Sequence, residues 1–275
     1  MEHRFLTYKN SQVSWYRFGS GLQPVICFHG YGESGRHFSF LEQPADQQFS
    51  FFAIDLPFHG ETEWNEGLNF ECEDLKKITD AILAIDNDKK EILNYKPILL
   101  GFSLGGRISL SLYQAMPGKI EKVVLLAPDG LKINFWYWLG TQTWAGRKLF
   151  YFTMQNPGWF FGFLKILKSI GIVNNSVFKF VKYYIDNKTV RHELYNRWIT
   201  FRNLSPELSK IRLMVLKHKT PFRLVYGKHD RIILPEHGEK FRKGIELHCN
   251  VSVIESGHQV LHEKHVNDIV SQLKS

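Results

Sequence analysis

The run Gly101-Phe102-Ser103-Leu104-Gly105-Gly106 sets a serine between an apolar stretch and a helical pattern, with glycine on both sides. This is the G-x-S-x-G spacing of a strand-to-helix turn so tight that neighbouring side chains would collide. Such a turn exposes the serine hydroxyl and aims the helix N-terminus at any anion that develops beside it. A serine hydroxyl is a weak nucleophile at neutral pH; it needs a base, and the base needs a third group to orient it. His258, in Ser256-Gly257-His258-Gln259, and Asp230, in Gly227-Lys228-His229-Asp230, each follow an apolar run. The chain order Ser, Asp, His is that of a triad on a parallel α/β sheet. Taken singly, each has a plain structural reading: small-residue turns are common, and with 12 histidines a loop histidine says little. Their joint order at strand ends is what points to acyl transfer. His29-Gly30-Tyr31-Gly32 follows a further apolar run. A glycine-rich turn there lets the Tyr31 N–H face the serine, and the Leu104 N–H supplies the second donor of an oxyanion hole. The same glycines would equally serve a tight turn with no ligand. His29 itself reads as a structural hydrogen-bonding residue.

Strands and helices must alternate for these residues to meet. Residues 24–29, 50–56, 97–102 and 122–127 are short, β-branched-rich apolar runs bounded by turn residues, and residues 221–226 and 250–254 continue the series. Runs of this kind fit strands buried on both faces of a parallel sheet. Helical spacing marks residues 71–85, through Leu75, Ile78, Ile82 and Ile85, and residues 106–116; helices are also expected near 236–247 and 262–273. Residues 5–9 and 13–18, around Asn10-Ser11, predict an antiparallel hairpin at the sheet edge. In such a sheet the ligand site lies beyond the carboxyl ends of the strands, where every polar motif above falls.

Composition narrows the remaining choices. The chain has 275 residues, 44% hydrophobic and 23% charged, with 21 Gly and 10 Pro, which excludes disorder, collagen and coiled coil. Three cysteines, Cys27, Cys72 and Cys249, without a CxxC pair argue against a disulfide framework or a cysteine zinc site. His262-Glu263-Lys264-His265 lacks the His-Glu-x-x-His spacing, so no metal is expected. The opening MEHRFLTYKN has no apolar signal core, and no run approaches the ~18 apolar residues of a membrane span. A cytoplasmic location follows as the expectation. The net charge of +8 is concentrated: residues 131–205 hold 11 Lys and Arg against two acids, and 19 of the 40 aromatic residues. That shift marks an inserted module with its own surface chemistry.

His29-Gly30-Tyr31-Gly32, Asp55-Leu56-Pro57-Phe58-His59-Gly60, the Gly101–Gly106 elbow, Gly227–Asp230 and Gly257-His258 together resemble the successive signatures of the α/β-hydrolase fold family. The resemblance spans residues 24–130 and 219–275. It implies a mostly parallel, doubly wound α/β sheet of about eight strands with a core of residues 1–130 and 220–275, a helical cap at 131–219, and a cofactor-free site between them. It makes the Asp55 loop structural, with His59 near the site but outside the triad. The triad would be Ser103, Asp230 and His258; relatives that carry the acid after the sixth strand make Asp129 the alternative to Asp230. A serine in place of a carboxylate nucleophile disfavours dehalogenase and epoxide hydrolase chemistry.

The expected activity is hydrolysis of a carboxylic ester through an acyl-enzyme, with an apolar acyl chain. Thioesters and carbon–carbon bonds are the alternatives served by the same triad, and a basic lipid-surface binding protein is the non-enzyme one. The aromatics of the insert fit either its own core or an acyl pocket. Its Lys and Arg, interleaved with Trp, Phe and Leu, resemble an interfacial segment, so peripheral contact with an anionic membrane surface is a further expectation. Nucleic acid is disfavoured as a partner, because no recognised binding module accompanies the basic charge.

Overall fold

The computed structural model of the chain describes residues 1–85, 92, 94–169, 171, 178, 182 and 184–275, in two compact units. The first comprises Met1–Glu66, Phe70–Lys132 and Asn203–Ser275; the second, Gly67–Asn69 and Ile133–Arg202. The strands are β1 (Glu2–Tyr8), β2 (Ser11–Phe18), β3 (Gln23–Phe28), β4 (Phe49–Ile54), β5 (Ile98–Phe102), β6 (Lys122–Leu126), β7 (Phe222–Gly227) and β8 (Cys249–Ile254). In chain order the helices among the described residues are α1 (Cys72–Ile85), α2 (Leu104–Ala115), α3 (Phe135–Gln142), α4 (Trp144–Gln155), α5 (Gly158–Ser169), α6 (Lys188–Thr200), α7 (Leu208–His218), α8 (Pro235–Arg242) and α9 (Val266–Lys274).

In the first unit the eight strands form one sheet in the order β1-β2-β4-β3-β5-β6-β7-β8. The β1–β2 hairpin and the β2–β4 pair are antiparallel, and the remaining pairs from β4 to β8 are parallel. The expected α/β sheet is therefore present. β4 (FSFFAI), β5 (ILLGF) and β6 (KVVLL) are buried along their whole length, because helices cover both faces of a parallel sheet. The edge strands β1 and β8 are buried only in part. Helix α1 buries Leu75, Ile78 and Ile82 as the spacing predicts, but Ile85 at its end is 43% exposed. Helix α8 stops at Arg242, short of the expected 247, where Gly244 turns the chain at φ +85°.

Residues 203–219 were expected with the insert, but the second unit ends at Arg202. Helix α7 packs on α2 and buries Ile211 and Val215 completely, which puts it in the first unit. Within the second unit, Asn134, Thr143 and Asn187 cap α3, α4 and α6 through their side-chain oxygens. Rings of Tyr137, Phe150, Tyr195 and Trp198 pack together at centroid distances of 5.2 to 5.5 Å, joining these helices.

Two buried polar residues fix the loops that leave β3 and β4. Asp55 is fully buried, and its carboxylate accepts hydrogen bonds from Ser14 Oγ (2.7 Å), the Gly35 N–H (2.6 Å) and the Glu61 N–H (3.0 Å). His29, also fully buried, donates from Nδ1 to the Gly30 carbonyl (2.7 Å) and accepts the Leu56 N–H at Nε2 (3.1 Å). That pair of bonds requires the neutral ring, and burial accordingly pushes its pKa below the usual histidine value.

Asp55→Ala removes the acceptor of the Gly35 and Glu61 N–H groups and of Ser14 Oγ and should cost about 3–5 kcal/mol in urea denaturation, because an orphaned buried donor is expensive. For His29 the depressed pKa means that the unfolded chain binds a proton below about pH 6.5 that the folded chain refuses. Stability from this group is therefore full above that pH and is lost as pH falls. Denaturation midpoints measured between pH 7.5 and 5.5 should decline, and His29→Gln should shallow the slope by about one proton.

Candidate active site

A single residue, Ser103, connects β5 to α2, and it does so at φ 50° and ψ −112°, where side chains are strained. Close approach on both sides forces the geometry. A Cβ at residue 105 would lie 1.8 Å from the Phe28 carbonyl oxygen, and one at residue 101 would lie 2.4 Å from the Gly105 oxygen. The expected collision is thus with backbone, which cannot give way. The Ser103 N–H donates to the Leu126 carbonyl (3.0 Å), and its own carbonyl accepts from the Gly106 (2.8 Å) and Asp129 (2.9 Å) N–H groups. These three bonds hold the strained residue in place.

The loops after β7 and β8 are stitched together by Lys228 N–H to the Ile254 carbonyl (2.9 Å) and His229 N–H to the Ser256 carbonyl (2.9 Å). That pairing brings Asp230 and His258 side by side. His258 Nδ1 is 2.8 Å from Asp230 Oδ2, and His258 Nε2 is 3.1 Å from Ser103 Oγ. The Asp230 side chain has no solvent exposure, and its Oδ1 accepts the Ile232 (2.7 Å) and Ile233 (3.0 Å) N–H groups. A carboxylate accepting at Nδ1 places the ring proton there and leaves the Nε2 lone pair facing the serine hydroxyl. The Phe102 ring lies 5.5 Å, centroid to centroid, from the imidazole.

Asp129 is ion-paired with Arg107 and accepts the Gly130 N–H at Oδ1 (2.7 Å), while His258 bonds Asp230. Leu104 opens α2, where the first N–H groups have no acceptor within the helix. Tyr31 follows β3, and the register Phe28↔Gly101 brings the end of β3 beside the elbow. His59 is buried, with Nδ1 2.9 Å from the Pro57 carbonyl and its ring 5.8 Å edge-on from that of Tyr31.

The three thiols are poor nucleophiles: burial raises the pKa of each, that of Cys249 to about 12. Among the described residues no group of three or more His, Cys, Asp or Glu could hold a metal ion. His262 instead caps the following turn, accepting the Lys264 N–H at Nδ1 (3.2 Å).

Sequence reasoning missed Glu33. Its carboxylate accepts the Gly30 N–H at Oε2 (3.2 Å) and Gln259 Nε2 at Oε1 (3.0 Å), tying the β3 loop to the loop that carries His258. No motif announces a glutamate in this role; its position three residues after Gly30 is the sole hint. The Ile232 and Ile233 amides were equally invisible, since backbone donors leave no mark on residue type.

A family profile described as serine aminopeptidase, S33, matches residues 22–265. The chain is 26% identical over 260 residues to the uncharacterized hydrolase YugF of Bacillus subtilis, covering 89% of this chain and 86% of that protein. Among solved structures, an esterase from Thermogutta terrifontis superposes with a TM-score of 0.67 at 16% identity, covering 100% of this chain and 98% of that one. The thioesterase domain of the curacin biosynthetic pathway superposes with a TM-score of 0.63 at 17% identity, covering 100% and 99%. The two solved structures share the fold, and the profile match, which spans most of the chain, establishes that this protein belongs to the S33 serine aminopeptidase-like family of α/β hydrolases.

Proposed function

We propose that this α/β hydrolase is a carboxylic ester hydrolase that works through a serine acyl-enzyme. The observation that carries the reading is the continuous set of hydrogen bonds from Ser103 Oγ to His258 Nε2 and from His258 Nδ1 to Asp230 Oδ2. His258 takes the hydroxyl proton as Ser103 Oγ attacks the ester carbonyl, and buried Asp230 stabilises the imidazolium that forms. The tetrahedral oxyanion lies against the N–H groups of Leu104 and Tyr31, each worth about 3 kcal/mol if it acts as such donors do elsewhere. As the intermediate collapses, the alcohol leaves with the proton from His258, and the acyl group stays on Ser103. Water then attacks the acyl-enzyme, gives its proton to His258 and releases the acid, with that proton returning to Ser103.

The acyl preference rests on composition. With 19 of 40 aromatic residues at 131–205, the insert is read as a cap suited to an apolar acyl group of medium or long chain. No cofactor has a role in this scheme.

Hydrolysis of p-nitrophenyl esters from acetyl to palmitoyl should peak at the longer chains and exceed turnover of p-nitroanilides, of acyl thioesters and of carbon–carbon substrates. A maximum at acetyl would remove the apolar-chain assignment, and turnover confined to one of the other classes would remove the ester one. Ser103→Ala should keep its circular dichroism spectrum, lose labelling by a fluorophosphonate and lose at least ~10³-fold in kcat; Asp230→Asn should lose about 10⁴-fold. Full activity in Ser103→Ala would sink the mechanism.

A further inference from the structure

The second unit wears part of its apolar surface on the outside. On α4, Gly146, Thr153 and Met154 form the buried side, and the opposite side presents Trp144 (67% exposed), Lys148, Leu149, Tyr151 and Phe152. Helix α3 buries only Thr141 and exposes Phe135, Trp136 (70%) and Trp138. Helix α5 buries only Leu164 and exposes Trp159, Phe163 and Ile166 (61%), and Lys165 and Lys168 are exposed on the same helix. Isolated exposed apolar residues are unremarkable, but a succession of large ones on three consecutive helices marks a surface meant to be covered.

Charge says what covers it. No Asp or Glu occurs between Asp129 and Asp186, a stretch that carries Arg147, Lys148, Lys165 and Lys168 on α4 and α5. A soluble partner protein or a second copy would meet a mixed-charge surface with mixed charge; a face of aromatics and cations without a single acid matches a surface that is apolar beneath and anionic at its rim. Lys148 Nζ stands 4.0 Å from the centroid of the Trp144 ring, holding cation and anchor at one level. Trp144 and Lys148 also border an open cleft of about 760 Å³ within this unit, lined further by Tyr151, Arg147 and Arg202. Among the described residues no helix is long and apolar enough to cross a membrane. Short amphipathic helices with aromatic anchors and flanking Lys or Arg lie in the headgroup plane instead.

We propose that α3, α4 and α5 form a docking face for an anionic phospholipid bilayer, with Trp136, Trp144 and Trp159 entering the interface and Lys148, Lys165 and Lys168 resting on the headgroups. The surface does not depend on the ester hydrolase reading.

Sedimentation of the full chain with vesicles tests the proposal. Equimolar phosphatidylglycerol and phosphatidylcholine vesicles should retain the protein, pure phosphatidylcholine vesicles should not, and high salt should release it. Because each cation near such a surface contributes about fivefold to partitioning, Lys165→Gln/Lys168→Gln should bind roughly 25-fold more weakly while soluble-ester turnover stays unchanged. Trp136→Ser and Trp144→Ser, both at exposed positions, should each weaken binding by roughly tenfold. Ser103→Ala should bind as the wild type does, so a failed hydrolase mechanism would leave the vesicle result standing. Equal retention on neutral and anionic vesicles, no retention on either, or retention insensitive to these substitutions overturns the proposal. So does a dimer in solution that Trp136→Ser disperses, if anionic vesicles do not bind.

Discussion

The Phe28 carbonyl oxygen leaves no space for a side chain at residue 105, and much of the site follows from that contact. Helix α2 can lie this close to β3 only because its second residue is glycine. The close approach compresses the link between β5 and α2 to one residue, and that residue stands up from the sheet edge with its hydroxyl outward. With the serine fixed, the imidazole has one place to be, and the parallel register from β5 through β6 and β7 to β8 delivers it there from a loop 155 residues away in sequence. The sheet acts as a ruler: equal strand spacing converts chain order into side-chain order at the carboxyl edge.

The central strands were legible because burial on both faces demands unbroken apolar runs, a signal local to five or six residues. The meeting of Ser103, Asp230 and His258 was legible for a related reason, since their surroundings are glycine-rich turns with a steric rationale. Contacts set by tertiary packing were not. Ile85 fits the helical spacing of α1 yet is exposed in its last turn. The basic, apolar sequence of α7 reads like a continuation of the insert, and only the burial of Ile211 and Val215 against α2 separates it. Glu33 and the amides that hold Asp230 lie in ordinary-looking loop sequence, so their contribution appears only in three dimensions.

The two units solve the problem of apolar surface in opposite ways. The first has a sheet wide enough to enclose most of its aromatic rings; Trp15, Phe28, Phe51 and Phe52 are fully or almost fully enclosed. The second is short and helical, so its ratio of surface to volume is poor. Its inner cluster of Tyr137, Phe150, Tyr195 and Trp198 accounts for part of its aromatic content, while Phe135, Trp136, Trp144 and Trp159 stand at its surface. The aromatic content of the insert therefore has two explanations at once, one for each side of the same helices.

The backbone of Ser103 sets a limit on stabilising this fold. A non-glycine residue at φ 50° carries strain of about 1–3 kcal/mol that glycine would not. A search for sequences that stabilise this fold would thus replace the serine early, because a glycine at 103 would suit the turn better than the residue present. On the proposed reading, the side chain at this strained position trades stability for chemistry. Thermostabilised descendants of this chain would have to gain their margin elsewhere, and screens ranked on folding alone would discard the residue proposed as the nucleophile.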